Sequence, residues 1–187
     1  MKFDDSSVKV DGVLFETFLP DPVLVIPSDE SDSTSTEFGF QITNLSSRPY
    51  HFTFFGLIPE IKGLNGQRLK SEYARNATRL VSRNDFLLAE PGATLSSVIT
   101  AELKWSGDQL GLLGLDSSGG YWKVWGFQQG AYQVRFTYKG YSVEQLARLR
   151  PPVMLEHLWT GVISTPVVPF DIAVNLPKKL RRQGKIK

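Results

Sequence analysis

Two histidines, His51 and His157, are the first side chains to consider as a general base in this sequence. A nucleophilic triad needs such a base beside a serine, threonine or cysteine nucleophile. The chain contains no cysteine. His51 falls on the outer face of a predicted strand, His157 lies beyond a predicted helix, and neither neighbours a serine in a nucleophile-elbow pattern. We therefore expect no catalytic histidine.

Carboxylates could support acid–base or metal chemistry only where several of them converge. Residues 29–32 offer oxygen ligands, but they lack the glycine and the distal glutamate of a calcium-binding loop. Residues 111–114 lack the lysine and the further glycine of a phosphate-binding loop. A zinc site is not expected, because the chain has no cysteine and its two histidines are far apart in the sequence. We predict no enzymatic activity, no cofactor and no metal. The scattered acids behind this prediction are Glu60, Glu72, Asp85, Glu90 and Glu102.

The densest aromatic cluster of the chain lies in residues 121–127, with the sequence Tyr-Trp-Lys-Val-Trp-Gly-Phe. Trp122 and Trp125 could form a stacking platform for sugar rings or for side chains of a partner. The same two rings could instead close one end of a hydrophobic core. Single-stranded nucleic acid also stacks on aromatic rings, but it needs interleaved basic groups, and only Lys123 is interleaved here.

A second candidate surface lies in residues 142–157. Ser142 and Gln145 have the spacing of a capping box, which predicts a short helix over residues 142–150. Arginine and aromatic side chains dominate the energetics of protein interfaces. The partner-binding candidates of this region are accordingly Tyr141, Arg148, Arg150 and Trp159.

The net charge of +2 is the sum over two parts of the chain whose net charges have opposite signs. Residues 178–187 hold six of the 21 basic residues and no acid, which leaves 15 basic against 19 acidic residues elsewhere. We predict a disordered basic tail, with contact to nucleic acid or another acidic surface as the alternative. The start of the chain has no apolar run of signal-peptide length, and no segment is apolar enough to span a membrane. These features predict a cytoplasmic location.

Alternation of apolar and polar residues with a period of two is the main structural signal, and it predicts β-strands. Phe38, Phe40 and Ile42 share one predicted face. A later strand has a second such face, made of Tyr132, Val134, Phe136 and Tyr138. We expect seven to nine short strands, a flexible acidic loop over residues 28–36, and a connection over residues 106–120. Residues 1–177 would then form a single antiparallel β-sandwich with a short helical insertion before its last strand.

The segment Gly130-Ala-Tyr132-Gln-Val134 resembles the strand that carries the tyrosine corner of immunoglobulin-like domains. Val134 stands where antibody domains have a cysteine, so the resemblance implies a disulfide-free sandwich of the fibronectin-III-like or bacterial immunoglobulin-like type. Together with residues 40–44 and 90–92, this segment is also similar to intracellular proteinase-inhibitor domains of bacilli. No inhibitory loop can be transferred from that resemblance.

A non-catalytic binding module is therefore the function that the sequence predicts. We expect it to bind a protein partner through loops at residues 119–129 and 142–157, because loops on a rigid scaffold often carry binding. Two alternatives stay open. One is a proteinase-inhibitor-like domain, and the other is a carbohydrate-binding module that uses Trp122 and Trp125.

Overall fold

The structure is a computed structural model that describes residues 7–63, 69–75 and 79–174. It is built mainly of strands in antiparallel sheets, which confirms the all-β prediction. The basic tail at residues 178–187 lies outside the described residues. No helix within the described ranges is long and apolar enough to cross a bilayer.

The larger sheet has seven strands, ordered β1-β2-β4-β9-β10-β11-β7, and every pairing in it is antiparallel. Its longest members lie side by side near the centre, where β4 and β9 pair over eleven residues from Ser33 to Thr43. In the order of the sheet, the strands are β1 (Ser7–Val10), β2 (Val13–Phe18), β4 (Ser33–Asn44), β9 (Thr94–Ser106), β10 (Gln109–Leu115), β11 (Tyr121–Phe127) and β7 (Lys70–Ala74).

The second sheet is organised around one strand, β12 (Gly130–Lys139), which pairs with three others. These partners are β6 (Pro59–Gly63), β13 (Val162–Ser164) and β14 (Val168–Ala173), and β14 in turn pairs in parallel with β3 (Val23–Val25). A small third sheet consists of β5 (Tyr50–Phe52) and β8 (Leu87–Ala89).

Aromatic rings from the two large sheets meet in one core. The ring of Phe40 on β4 lies 5.5 Å from Phe136 and 5.8 Å from Tyr138 on β12, measured between ring centroids. Phe38 on β4 lies 6.2 Å from Phe170 on β14. All five rings are buried, and burying a large apolar side chain contributes about 1.5–3 kcal/mol. The predicted inward faces of β4 and β12 are thereby confirmed.

A polar contact also crosses between the sheets within this core. The hydroxyl oxygens of Thr17 on β2 and Thr165, which follows β13, lie 2.6 Å apart and are buried. The Thr165 hydroxyl also accepts a hydrogen bond from the Phe136 amide at 3.0 Å. Because both hydroxyls have a partner, their burial does not leave an unpaired polar group.

Several predicted boundaries were wrong. The described residues contain fourteen strands rather than seven to nine. Residues 109–115 and 121–127 form strands β10 and β11, although the first was predicted as a connection and the second as part of a binding loop. The acidic loop ends before residue 33, because β4 begins at Ser33.

The predicted helix is present but short. It is α1 (Val143–Ala147), and the Ser142–Gln145 capping box is formed: the Gln145 amide donates to the Ser142 hydroxyl at 3.2 Å, and the Ser142 amide donates to the Gln145 side-chain oxygen at 2.8 Å. This helix packs on a small cluster apart from the main core, made of Val81, Phe86, Leu146 and Val153.

Candidate functional site

Two of the six predicted partner-binding residues belong to the core. The side chains of Trp122 and Trp159 are 2% and 3% exposed, respectively. Trp122 packs edge-on against Phe38 at 6.2 Å, and Trp159 lies 4.9 Å from Phe15. Neither indole is accessible to a partner, so the prediction of a binding role was wrong for both.

The stacking platform predicted from Trp122 and Trp125 is not formed, because the two side chains lie on opposite faces of β11. Successive side chains of a strand point to opposite faces, and these two positions are an odd number of residues apart. Trp122 pairs with Gly114 and points into the core, whereas Trp125 pairs with Gly111 on the outer face and is only partly buried.

An apolar groove lies on the outer face of the larger sheet, across β9, β10 and β11. We call it the sheet groove; its volume is about 590 Å³. Leu115 pairs with Tyr121, and Leu113 pairs with Lys123, so these side chains form two neighbouring rows. Leu115 is 62% exposed, and Val98 and Tyr121 are about half exposed. The outer face of this sheet therefore presents apolar side chains where polar ones are usual.

Two charged side chains, Lys123 and Glu102, are among the residues that line the sheet groove. The Lys123 ammonium lies 5.1 Å from the centroid of the Tyr121 ring, a cation–π contact. Glu102 lines the groove and lies 3.8 Å from the ammonium of Lys104. The rim of the groove therefore carries one charge of each sign beside an apolar floor.

A second cavity, of about 460 Å³, opens where β9 and β11 end and β10 begins. We call it the rim pocket. Two partly buried indoles, those of Trp105 and Trp125, line it together with polar side chains from the β9–β10 hairpin, from the connection between β11 and β12, and from the start of β7. The sequence did not single out Trp105, because it lies at the end of an otherwise regular strand. The polar lining residues are Lys70, Asp108, Gln109, Gln128 and Gln129.

The two histidines line one cavity of about 540 Å³, although the sequence placed them apart. His51 on β5 is bridged in parallel to Leu158, next to His157, and its ring Nδ1 lies 2.9 Å from the Glu156 carbonyl oxygen. The lining of this cavity includes Arg83 and Glu156 but no serine, threonine or cysteine. It offers ring nitrogens and a carboxylate for proton transfer, without a nucleophile among its lining residues.

The segment at residues 142–157 carries two exposed arginines and is preceded by a tyrosine with a structural role. Tyr141 packs edge-on against Phe86 at 5.7 Å, so it anchors the helical segment, and its burial raises the pKa of the Tyr141 phenol. Arg148 and Arg150, the two arginines among the predicted partner-binding residues, are exposed. Beside them, Met154 is 74% exposed.

The phenol of Tyr73, on the strand that pairs with β11, has a structural role. The Tyr73 hydroxyl donates to the Asp116 carboxylate at 2.7 Å, and burial together with that carboxylate raises the pKa of Tyr73 to about 12. The other oxygen of Asp116 accepts hydrogen bonds from Ser118 and Gly120. Asp116 therefore holds the turn between β10 and β11.

Several other carboxylates lie in separate ion pairs. Glu60 lies 2.8 Å from Arg135, and Glu72 lies 2.7 Å from Lys70. The hydrogen bond and the charge of Lys70 lower the pKa of Glu72. Over the parts of the chain that the structure describes, no three histidine, aspartate or glutamate side chains gather as a metal-binding group.

Besides the histidine cavity, the described residues therefore offer three candidate binding surfaces of different chemistry: an apolar sheet groove, a rim pocket with two indoles, and a helical segment with two arginines. Comparison of the chain with protein-family models, with curated proteins and with solved structures finds no match.

Proposed function

We propose that this chain is a non-catalytic protein-binding module, and that the sheet groove is its binding surface. The observation that carries the proposal is the apolar outer face of β9, β10 and β11, with Val98, Leu115 and Tyr121 about half exposed or more. Exposed apolar patches beside polar rims are typical of protein interfaces. The segment at residues 119–129 thus enters the proposal as a strand face rather than as a loop.

An immunoglobulin-like sandwich is the scaffold that we propose for this surface. The rings that pack between the two large sheets support it, and so does the environment of Tyr132. The Tyr132 hydroxyl donates to the Gln128 carbonyl oxygen and accepts from the Gln128 amide, both at 2.9 Å. A buried tyrosine that binds backbone a few residues upstream is the hallmark of a tyrosine corner.

A second surface for a protein partner is the segment at residues 142–157. Met154 and Val143 are exposed there, at 74% and 59%, and Arg148 and Arg150 lie nearby on the same segment. An exposed apolar side chain beside arginines matches the composition of interface hot spots. Inhibition assays against a panel of proteases test the alternative of a proteinase-inhibitor-like domain.

Capture of a partner from a lysate of the source organism tests the main proposal. Leu115→Glu places a charge in the sheet groove, whereas Leu80→Glu places one on a leucine that is 59% exposed outside the groove. We expect the wild type and Leu80→Glu to retain a specific partner, and Leu115→Glu to lose it by about ten-fold or more, because a charge must be desolvated on binding. Capture that survives both Leu115→Glu and Tyr121→Ala would contradict the proposal.

The helical segment is tested separately in the same assay. Arg148→Ala combined with Arg150→Ala removes two exposed charges without touching the cluster under α1. If this double variant alone loses the partner, the binding surface is the segment at residues 142–157 and the sheet groove is not required.

A further inference from the structure

We infer that the rim pocket is a binding site for a neutral oligosaccharide, with Trp105 and Trp125 as its stacking surfaces. This inference goes beyond the proposed protein-binding function. It uses a separate surface, since the rim pocket and the sheet groove share no lining residue.

A β-bulge directly follows Trp125 in β11, and both Trp125 and the bulge residue Gly126 line this pocket. Gly111 pairs with Trp125, but the next residue, Leu110, pairs with Phe127, so Gly126 is an extra residue in β11. Its φ of 93° lies in the region that favours glycine. As a result, Phe127 points into the core, at 4% exposure, although it stands only two positions after the outward-facing Trp125. Bulges commonly re-aim side chains beside functional sites.

The indole of Trp125 rests directly on the backbone of β10. A Cβ added to Gly111 would lie 2.1 Å from Cε3 of Trp125, so only glycine permits this close approach. One ring of the pocket is therefore supported by a rigid sheet rather than by a loop. A preformed aromatic surface of this kind loses little conformational entropy when a ligand stacks on it.

The second indole is also fixed. The Trp105 ring N–H donates to the Pro27 carbonyl oxygen at 3.0 Å, which sets the orientation of the ring at the end of β9. Both indoles are only partly buried and line the same cavity. Because the hydrogen-bonding atom of Trp105 is occupied, the ring acts through its apolar faces.

The polar lining matches the hydroxyl groups of a sugar. Gln109, Gln128 and Gln129 carry amides that both donate and accept hydrogen bonds, as a hydroxyl group does. The backbone of Gln128 is held by the Tyr132 hydroxyl on both its N–H and its C=O, which fixes the turn that carries two of these amides. Sugars have apolar ring faces and polar edges, and this pocket offers both kinds of surface.

The charges of the pocket favour a neutral ligand. Asp108 and Lys70 are the charged side chains of the lining, one of each sign. The Lys70 ammonium lies 2.7 Å from the Glu72 carboxylate, so a second acid offsets its charge. Single-stranded nucleic acid needs a basic groove along its backbone, which this lining lacks. The cavity volume of about 460 Å³ falls within the range of small-ligand sites, about 300–1,000 Å³.

Titration of the whole chain with cellohexaose, chitohexaose, maltohexaose and xylohexaose tests the inference, with tryptophan fluorescence and calorimetry as readouts. We expect at least one of them to bind with Kd at or below about 1 mM and to change the fluorescence. Trp125→Ala should raise that Kd by about ten-fold or more. Tyr121→Ala is the matched control, since Tyr121 is an exposed aromatic residue on the same strand outside the pocket, and it should leave Kd unchanged.

Gln129→Ala keeps the test valid if the tryptophan variant folds poorly. Gln129 is exposed in a turn, and its loss should weaken binding several-fold while near-UV circular dichroism stays unchanged. The inference is overturned if none of the four sugars binds at about 10 mM. It is also overturned if binding survives Trp105→Ala with Trp125→Ala, or if an oligogalacturonate binds as well as the neutral sugars. None of these results bears on capture through the sheet groove.

Discussion

The Tyr132 hydroxyl both donates to and accepts from the backbone of Gln128, and its ring is fully buried between Phe127 and Phe170. One side chain therefore joins the start of β12 to the turn before it. That turn also carries Gln128 and Gln129 into the rim pocket. At the scale of single residues, the same contact serves the fold and the candidate sugar site.

Tyr132→Phe tests how much this contact stabilises the protein. The variant keeps the ring but leaves the partly buried amide and carbonyl of Gln128 without that partner, so we expect the free energy of unfolding to fall by about 1–3 kcal/mol. Urea denaturation measures it. Tyr121→Phe is the control, because Tyr121 is 46% exposed and should change stability by less than about 0.5 kcal/mol. Equal effects from the two variants would argue against a structural role for the Tyr132 hydroxyl.

Residue type alone predicted which side chains could bind a partner, but not which of them are accessible. Trp122 and Trp159 were candidates as large aromatic residues, and both are core residues. Their indole N–H groups have no hydrogen-bond partner among the described residues, which is unusual for buried tryptophan. A tryptophan on a strand faces inward only if an even number of positions separates it from a buried residue of that strand. In β11 this alternation is interrupted at Gly126 by the bulge.

At the scale of elements, regular alternation was predictive and irregular strands were not. The inward faces of β4 and β12 followed from their period of two. Strand β10, with the sequence Gln-Leu-Gly-Leu-Leu-Gly-Leu, contains no polar residue after its first, so its pattern could not be distinguished from a leucine-rich connection. Strand β11 was missed because its bulge puts Trp125 and Phe127 on opposite faces. The rim pocket depends on these two strands, and its composition could not be predicted without them.

The capping box of α1 was predictable because it depends on two residues three positions apart. Ser142→Ala should lower the free energy of unfolding by about 1 kcal/mol, since the Gln145 amide loses its acceptor. Val143→Ala is the control: Val143 is 59% exposed in the first turn of the helix, and alanine favours helices. Thermal denaturation measures both. A Ser142→Ala variant as stable as the wild type would show that the cap is not needed.

At the scale of the whole molecule, the two large sheets share one aromatic core, and a second cluster under α1 is separate from it. Phe40 lies in the larger sheet but contacts Phe136 and Tyr138 of the other sheet. Phe86 contacts Tyr141 and belongs to the small cluster. Residues of the main core should therefore stabilise both sheets together, whereas residues of the small cluster should stabilise only the helical segment.

Amide hydrogen exchange of Phe40→Ala and Phe86→Ala distinguishes these two kinds of residue. Truncation of a buried phenylalanine costs about 3–5 kcal/mol, so Phe40→Ala should lower protection by about two powers of ten or more. If the sheets unfold as one unit, this loss should be equal in β4, β9 and β12, because the sheets bury the same rings. Phe86→Ala should affect mainly the amides of Leu146 and Val153, which donate within the helical segment. If Phe40→Ala lowered protection only in the larger sheet, the two sheets would not form one cooperative sandwich, and the proposed immunoglobulin-like scaffold would have to be abandoned.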